Sequence, residues 1–334
     1  MVGEATVIPG LVSTIIPVRN RPRMVVEAIE SVRAQTWPNW EVIVADDVST
    51  DDTPLIVESL ATLDPRIKLV RRSGSSGGPG VAREAARAKA RGEFVQYLDS
   101  DDLLLQDKFE RQVRLLESRP RVDIAYGWTK VQSHDGSINH APGKRTGEAL
   151  DSLFPALLVD RWWFTSSPLY RRDIVDRVGP WPTIRWGQDW AYDSIAGGLN
   201  ARLASVDSFV SLHRHHQGDR QTGAFDWYRG EKLLAYHDLQ VAMFESAVKA
   251  GVSYGTPEML HFARLQFKIA RSLAAEGREE LAKDALSMTV RAYGMRRVST
   301  DIRAFELLSR IIGSVAAGKV AVLRDRPPWT RLPS

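Results

Sequence analysis

Four short stretches hold most of the side chains able to do chemistry. Asp99-Ser100-Asp101-Asp102 follows the apolar run Phe94–Leu98 (FVQYL). Carboxylates at a strand terminus offer hard oxygen ligands, so a D-x-D triplet there can hold Mg²⁺ or Mn²⁺ against a diphosphate and leave positions open for its oxygens. The competing reading is an acidic loop that caps the next helix through Ser100 or Asp102. Asp46-Asp47 ends a second apolar run, Trp40–Ala45 (WEVIVA), and suits hydrogen bonds to a base or ribose, or turn chemistry shared with Ser49 to Asp52. Gly187-Gln188-Asp189-Trp190 sets a carboxylate among Trp186, Trp190 and Tyr192. Partial burial would raise the pKa of Asp189 and suit it to general-base work, with aromatic rings for sugar faces; a helix-capping aspartate is the plainer alternative. His213-Arg214-His215-His216 gathers three of the chain's seven histidines. It could add a nitrogen ligand to a Mn²⁺ site and a guanidinium to a diphosphate, or be a polar surface loop. Zinc is disfavoured, because the chain has no cysteine and adjacent histidines rarely converge on one ion.

A fifth stretch, Ser73–Gly80 followed by Val81-Ala82-Arg83, is glycine-rich but lacks both G-x-G-x-x-G order and a Walker lysine. Its glycines would let the chain pass close to a ligand, with Arg83 facing phosphate.

Positioning these groups is the task of alternating strands and helices. Val12–Val18, Trp40–Ala45, Ile67–Val70 and Phe94–Leu98 read as strands buried on both faces. Helical patterns over Met24–Ala34, Leu55–Leu63 and Val81–Ala90 lie between them. That alternation predicts an α/β fold with a mostly parallel central sheet flanked by helices. Ligands in such sheets bind beyond the carboxyl ends of the strands, and here those ends carry Arg19-Asn20, Asp46-Asp47 and Asp99 to Asp102. Val122–Val131 reads as a further strand. From about Phe225 the texture changes to amphipathic helices, including a hairpin of Met259–Ala275 and Arg278–Tyr293 turned at Glu276-Gly277. The apolar residues of Ile311–Leu323 read as a helical packing face. Two domains are expected, 1–222 and an α-helical C-terminal region 223–334.

The 334 residues are 43% hydrophobic and 26% charged, enough for a sizeable core, and the net charge is +4. Lysine and arginine are spread rather than clustered, which argues against nucleic acid as a partner. No signal peptide or membrane-spanning run is expected, and lack of cysteine suits the cytoplasm. Arginines around Trp329 are compatible with peripheral association at the inner face of a membrane; a frayed tail is the ordinary reading.

Taken in order, VSTIIPVRNRP, EAIESVRAQTWPNWEVIVADDVSTDDTP, GGPGVAREAARAKARGEFVQYLDSDDLLLQDKFERQ, SSPLYRRDIVDRVGPW, GQDW and RHHQGD resemble the family 2 glycosyltransferases with the GT-A fold. The resemblance spans roughly residues 11 to 220. It implies that Pro17, Val18, Arg19 and Asp47 line a nucleoside pocket, with Asn20, Arg83, Ser100 and Arg214 also on the nucleotide-sugar donor. Arg19 stands where the family commonly has a stacking aromatic residue, and Glu84 where it commonly has asparagine. Asp101 would be the principal ligand of Mn²⁺ or Mg²⁺, with His216, and Asp99 would contact either the donor's ribose or the metal. Asp189 would be the catalytic base of a single inverting displacement, with a UDP-sugar favoured as donor and a glycan, lipid-linked or small-molecule acceptor. The helical C-terminal region would cover the acceptor side or mediate homo-oligomerisation. Two other readings compete: a sugar-phosphate nucleotidyltransferase, which would need a basic glycine-rich loop where PVRNRPR stands, and a non-catalytic scaffold with a vestigial donor site.

Overall fold

A computed structural model describes residues 7–215, 228–294 and 298–324. Contacts divide the chain into two compact units, Met1–Leu153 with Arg161–Arg220, and Phe154–Asp160 with Gln221–Ser334.

The first unit opens with β1 (Ile8–Val18), α1 (Pro22–Arg33), β2 (Trp40–Asp46), α2 (Thr53–Leu63), β3 (Ile67–Arg71), α3 (Gly78–Arg87) and β4 (Gly92–Tyr97). Every residue of β2 is buried, as is β1 from Leu11 onward. This is why both read as continuous apolar runs rather than alternating ones. Pro22 sits in the first turn of α1, where its missing N–H costs nothing. The buried stripe Val25, Ala28, Ile29 and Val32 seals that helix onto a core containing Val12, Ile16, Val42, Val44 and Phe94. β3, β2, β1 and β4 are parallel neighbours, in register from Val12↔Trp40 to Val18↔Asp46 and with Ile15 opposite Tyr97. Their carboxyl ends therefore share one edge.

The rest of the sheet is mixed. After β5 (Leu103–Leu104), α4 (Lys108–Ser118), β6 (Ile124–Gln132) and β7 (Ile138–Asn139) come β8 (Leu169–Arg171), α5 (Arg172–Val178), α6 (Gln188–Gly198) and β9 (Leu203–Arg214). β8 runs antiparallel to β4 and β6, while β9 pairs parallel to β6 and antiparallel to β5. Among the described residues the sheet has nine strands. A parallel half thus meets a mixed half, and β9 returns beside β5 just after the Asp99–Asp102 loop.

The second unit is helical: a 3-10 turn at Ala156–Leu158, then α7 (Gly230–Lys249), α8 (Pro257–Ala275), α9 (Glu279–Tyr293), α10 (Thr300–Ile312) and α11 (Ser314–Arg324). Thr256 caps α8 by accepting from the Met259 N–H at 3.4 Å. Ile269, Ala270 and Leu273 of α8 meet Ala282 and Ala285 of α9, giving the expected hairpin. The expected helical packing face across Ile311–Leu323 is present, but it is carried by Ala317, Gly318 and Ala321 rather than by the large apolar residues. Gly313, with φ of 83°, separates two helices, and Leu307, Ile311, Ile312, Val320 and Leu323 are exposed. The small residues Ala317 and Gly318 pack instead, because a Cβ on Gly318 would lie 2.4 Å from the Ala275 nitrogen. Among the described residues no helix is long and apolar enough to cross a membrane.

Candidate active site

The carboxyl edge of β1 and β2 is built from interlocked loops. Asn20, at φ of 51°, takes the Thr50 N–H on its side-chain oxygen at 2.8 Å, while its own N–H donates to Ser49 Oγ at 2.9 Å. The turn after β2 is tightened by Ser49 N–H on Asp46 and Thr53 N–H on Asp51, which is the turn chemistry expected of this stretch. Asp47 is buried and accepts from Ser76 Oγ at 2.6 Å, from the Gly78 and Gly77 N–H groups at 2.9 and 3.2 Å, and from Arg72. The glycine-rich stretch thus folds its backbone donors onto Asp47. Pro17 and Val18 are buried at the end of β1, whereas Arg19 is exposed beside them.

Next to this lies the D-x-D loop. Arg83, on α3, is 3% exposed, packs over the Trp181 ring at 4.4 Å and donates to Asp99 at 2.5 Å. Its Nε and Nη1 atoms have no hydrogen-bond partner among the described residues. Buried guanidinium donors left open in this way favour an anionic ligand. Asp101 pairs with Arg21 at 2.8 Å, and Ser100 Oγ accepts from the same guanidinium at 3.3 Å. Arg214 donates Nε to the Asp101 carbonyl at 2.5 Å and pairs with Glu27. Asp102, fully buried, takes His213 Nδ1 at 3.0 Å, Ser166 Oγ at 3.2 Å and the Arg214 N–H at 3.2 Å. The helix-cap alternative for this loop falls away, because α4 begins at Lys108 with Asp107 at its cap position.

Asp189 lies in the first turn of α6, where the helix dipole favours a negative charge. Gly187 caps that helix with φ of 79°. A Cβ on Gly80 would lie 3.0 Å from the Pro182 carbonyl, so glycine lets α3 approach the segment leading into α6. The Asp189 carboxylate accepts its neighbour Trp190 N–H at 2.9 Å and pairs with the buried Arg161. Withdrawal from water pushes its pKa up, but Arg161, Arg83 and Lys144 outweigh that and hold it below the usual carboxylate range. The raised pKa expected from burial alone is therefore corrected by a guanidinium from a distant stretch. Tyr192 is corrected too: it stacks on Trp181 at 4.2 Å and meets Tyr97 edge-on at 5.5 Å, so it belongs to the core rather than to a sugar platform. Trp186 and Trp190 remain partly exposed.

Asp99 feels Asp102, Asp101 and Asp189 together. Burial first, then those three carboxylates, push its pKa up despite Arg83. The structure thus brings the D-x-D carboxylates, Asp189 and Arg83 into one electrostatic neighbourhood, with Asp47 on the adjoining loops. No three metal-ligating side chains converge on one point among the described residues, and His216 lies outside them. The carboxylates still fit a hard divalent cation, because they are oxygen donors whose mutual repulsion a 2+ charge would relieve.

The sequence pattern described as Glycosyl transferase family 2 matches residues 13–179, from the interior of β1 to just past α5. The chain belongs to that family. Succinoglycan biosynthesis protein ExoO of Rhizobium meliloti is 38% identical over 309 residues, covering 88% of this glycosyltransferase and 85% of ExoO. The UDP-Glc:alpha-D-GlcNAc-diphosphoundecaprenol beta-1,3-glucosyltransferase WfgD of Escherichia coli is 36% identical over 138 residues, 41% of this chain and 53% of WfgD. Three other curated relatives are longer, and the matched stretch spans only 23%, 15% and 31% of their lengths. Among solved structures, S. aureus TarS 1-349 with UDP-GlcNAc has a TM-score of 0.60 at 18% identity, over 84% of this chain and 89% of that one. Mannosyltransferase PcManGT of Pyrobaculum calidifontis, with GDP-Man and Mn²⁺, has a TM-score of 0.51 at 18% identity, over 95% and 88%. The fold of this glycosyltransferase is GT-A, extended by C-terminal helices.

Sequence reasoning missed Arg161, Arg21 and Ser166. Each is a single residue in a loop or at a helix edge with no period or motif to mark it. Arg161 is followed by Trp162 and Trp163, and an arginine beside such an apolar stretch could have signalled a buried pair.

Proposed function

We propose that this chain is an inverting, metal-dependent glycosyltransferase that moves a sugar from a UDP-sugar to an acceptor hydroxyl. The observation that carries the reading is Arg83. Its buried guanidinium, with two open nitrogens, is bonded to Asp99 and lies within electrostatic reach of Asp189, so donor-side and acceptor-side carboxylates face the same group. The transferase site is assigned to residues 1–222, and the helical region 223–334 to the acceptor side or to association between copies.

In this reading Pro17, Val18, Arg19, Asn20 and Asp47 bind the nucleoside, with the Arg19 guanidinium available to stack on the base. Arg83, Ser100 and Arg214 attend the diphosphate. Asp101 and Asp99, with His216, hold Mn²⁺ or Mg²⁺, which when bound supplies positive charge to the diphosphate. Asp189 is anionic at neutral pH and takes the proton from the acceptor hydroxyl as its oxygen attacks the anomeric carbon. The sugar–phosphate bond breaks as the new glycosidic bond forms, and the nucleoside diphosphate leaves toward Arg83 and Arg214. No second carboxylate across the bond is needed, unlike hydrolytic glycosidases.

UDP is favoured by the UDP-glucose in WfgD's name and the UDP-GlcNAc bound to TarS; PcManGT, with GDP-Man and Mn²⁺, supports the metal. WfgD's acceptor, a diphosphoundecaprenol-linked sugar, and ExoO's description favour a lipid-linked or glycan acceptor in polysaccharide biosynthesis, met at the inner face of the membrane. The test is thermal stabilisation by UDP, GDP, UDP-glucose, UDP-GlcNAc and GDP-mannose, each with and without Mn²⁺. Stabilisation by a UDP-sugar only when Mn²⁺ is present is expected. Stabilisation by nucleoside triphosphate and sugar phosphate, with pyrophosphate release, would overturn the reading.

A further inference from the structure

Arg161 is almost wholly buried yet lies in a loop, between the end of the 3-10 turn's segment and β8. Two carboxylates one helical turn apart on α6 hold it: Nε donates to Asp193 at 2.9 Å and Nη1 to Asp189. Asp193 is itself well supplied with donors. Tyr170 Oη donates to it at 3.0 Å and Trp163 Nε1 at 3.1 Å. Asp193 is 1% exposed, whereas Asp189 is only partly buried. The two ends of the bridge therefore differ in kind, one fixed in the core by three donors and the other partly exposed.

A buried ion pair costs desolvation and is weak evidence of stabilisation by itself. Two carboxylates sharing a single guanidinium, one of them buried and the other partly exposed, is an arrangement that orients the outer one. We infer that Arg161 is a positioning residue for Asp189, anchored through Asp193 on Tyr170 and Trp163, which fixes the direction of the Asp189 carboxylate for proton abstraction. The inference rests on the proposed role of Asp189 as the base. Among the described residues, the charged groups that act on Asp189 include Arg161 from the loop, Arg83 from α3, Lys144 from the segment after β7, Asp193 from α6 and Asp99 from the loop after β4. Of these, Arg161 pairs with it directly and also reaches the core.

The experiment uses two full-length variants. R161K keeps the charge, but an ammonium cannot match the planar fork that spans both carboxylates. R161M/D193N removes guanidinium and core carboxylate together, so no buried charge is stranded in its core. Asp189 is followed by ¹³C-carboxyl NMR with the D189N spectrum as assignment, and UDP release from UDP-glucose and Mn²⁺ is measured across pH. The Asp189 titration should move upward in R161M/D193N and less in R161K, the acid limb of the rate profile should follow it, and kcat should fall on the order of a hundredfold with KM for UDP-glucose little changed. An unmoved titration in either folded variant overturns the inference, as does a moved titration with kcat unchanged. A titration that moves in a protein releasing no UDP, even from wild type, supports the clamp and counts instead against the transferase reading.

Discussion

The two ends of the parallel strands treat their carboxylates in opposite ways. At the amino end, Glu41 of β2 is 2% exposed and accepts from Ser13 Oγ and Lys68 Nζ, each at 2.7 Å, and from the Arg91 N–H at 2.8 Å. Burial raises its pKa, but Lys68, Arg91 and Ser13 more than reverse that, and it lies below the usual glutamate range. At the carboxyl end, desolvation pushes the pKa of Asp99 up first; Arg83 opposes it, and three nearby carboxylates add to the rise. One carboxylate is satisfied by its own fold; the other shares its single guanidinium with a neighbourhood that holds three further carboxylates. Perturbation by desolvation alone occurs in both, so it does not distinguish them. Repulsion from neighbouring carboxylates does, and in the proposed reading it marks the functional edge.

That contrast can be broken or sharpened in four ways. Asp189→Asn removes the proposed base without touching the donor loops. Transfer should fall about 10²–10⁴-fold while thermal stabilisation by UDP with Mn²⁺ persists. Asp101→Asn relieves repulsion at the carboxyl edge and removes the proposed principal metal ligand. The Mn²⁺-dependent part of donor stabilisation should vanish and transfer should fall on the order of a hundredfold, read in the same assays. Asp47→Asn leaves the metal end intact but weakens charge-assisted bonds that organise the glycine loop. UDP affinity by calorimetry should drop roughly tenfold.

The smallest effect on activity belongs to the amino end. Glu41→Gln should leave transfer unchanged and cost about 1–3 kcal/mol in urea unfolding at pH 7. Because the folded pKa of Glu41 lies below its unfolded value, its stabilisation is present above the ordinary glutamate range and is lost as pH falls through the folded value. The difference between wild type and E41Q should therefore shrink in acid. A loss of transfer in E41Q comparable to that of D101N would erase the distinction between the two ends.

Much of this architecture is legible in the sequence because it is local. Val12–Val18 and Trp40–Ala45 are apolar runs bounded by polar clusters, and their parallel pairing places Asp46, Asp47 and Asp99 on one edge without further information. The α8–α9 hairpin is similarly plain from its period. The mixed half of the sheet is not, since β8 has three residues and joins β4 to β6 in an order that no short pattern encodes. The Arg161–Asp189 contact is hidden for the same reason: its partners are 28 residues apart and meet only through tertiary packing. Burial could be anticipated for Asp189, but the sign of its pKa shift depended on that unseen guanidinium. The packing face expected over Ile311–Leu323 forms, but close backbone approach at Gly318 puts its small residues inward, which the apolar run does not specify.

The central claim is that the D-x-D carboxylates and Asp189 address one bound donor from two sides. Its most direct test is the structure of Asp189→Asn with Mn²⁺ and the nucleotide sugar chosen by the thermal-shift screen. The account predicts the metal on Asp101, the diphosphate against Arg83, and the anomeric carbon facing the substituted side chain at position 189 across a space that fits an acceptor hydroxyl. A donor whose sugar points away from position 189, or a metal held elsewhere with Asp101 still on Arg21, would contradict it.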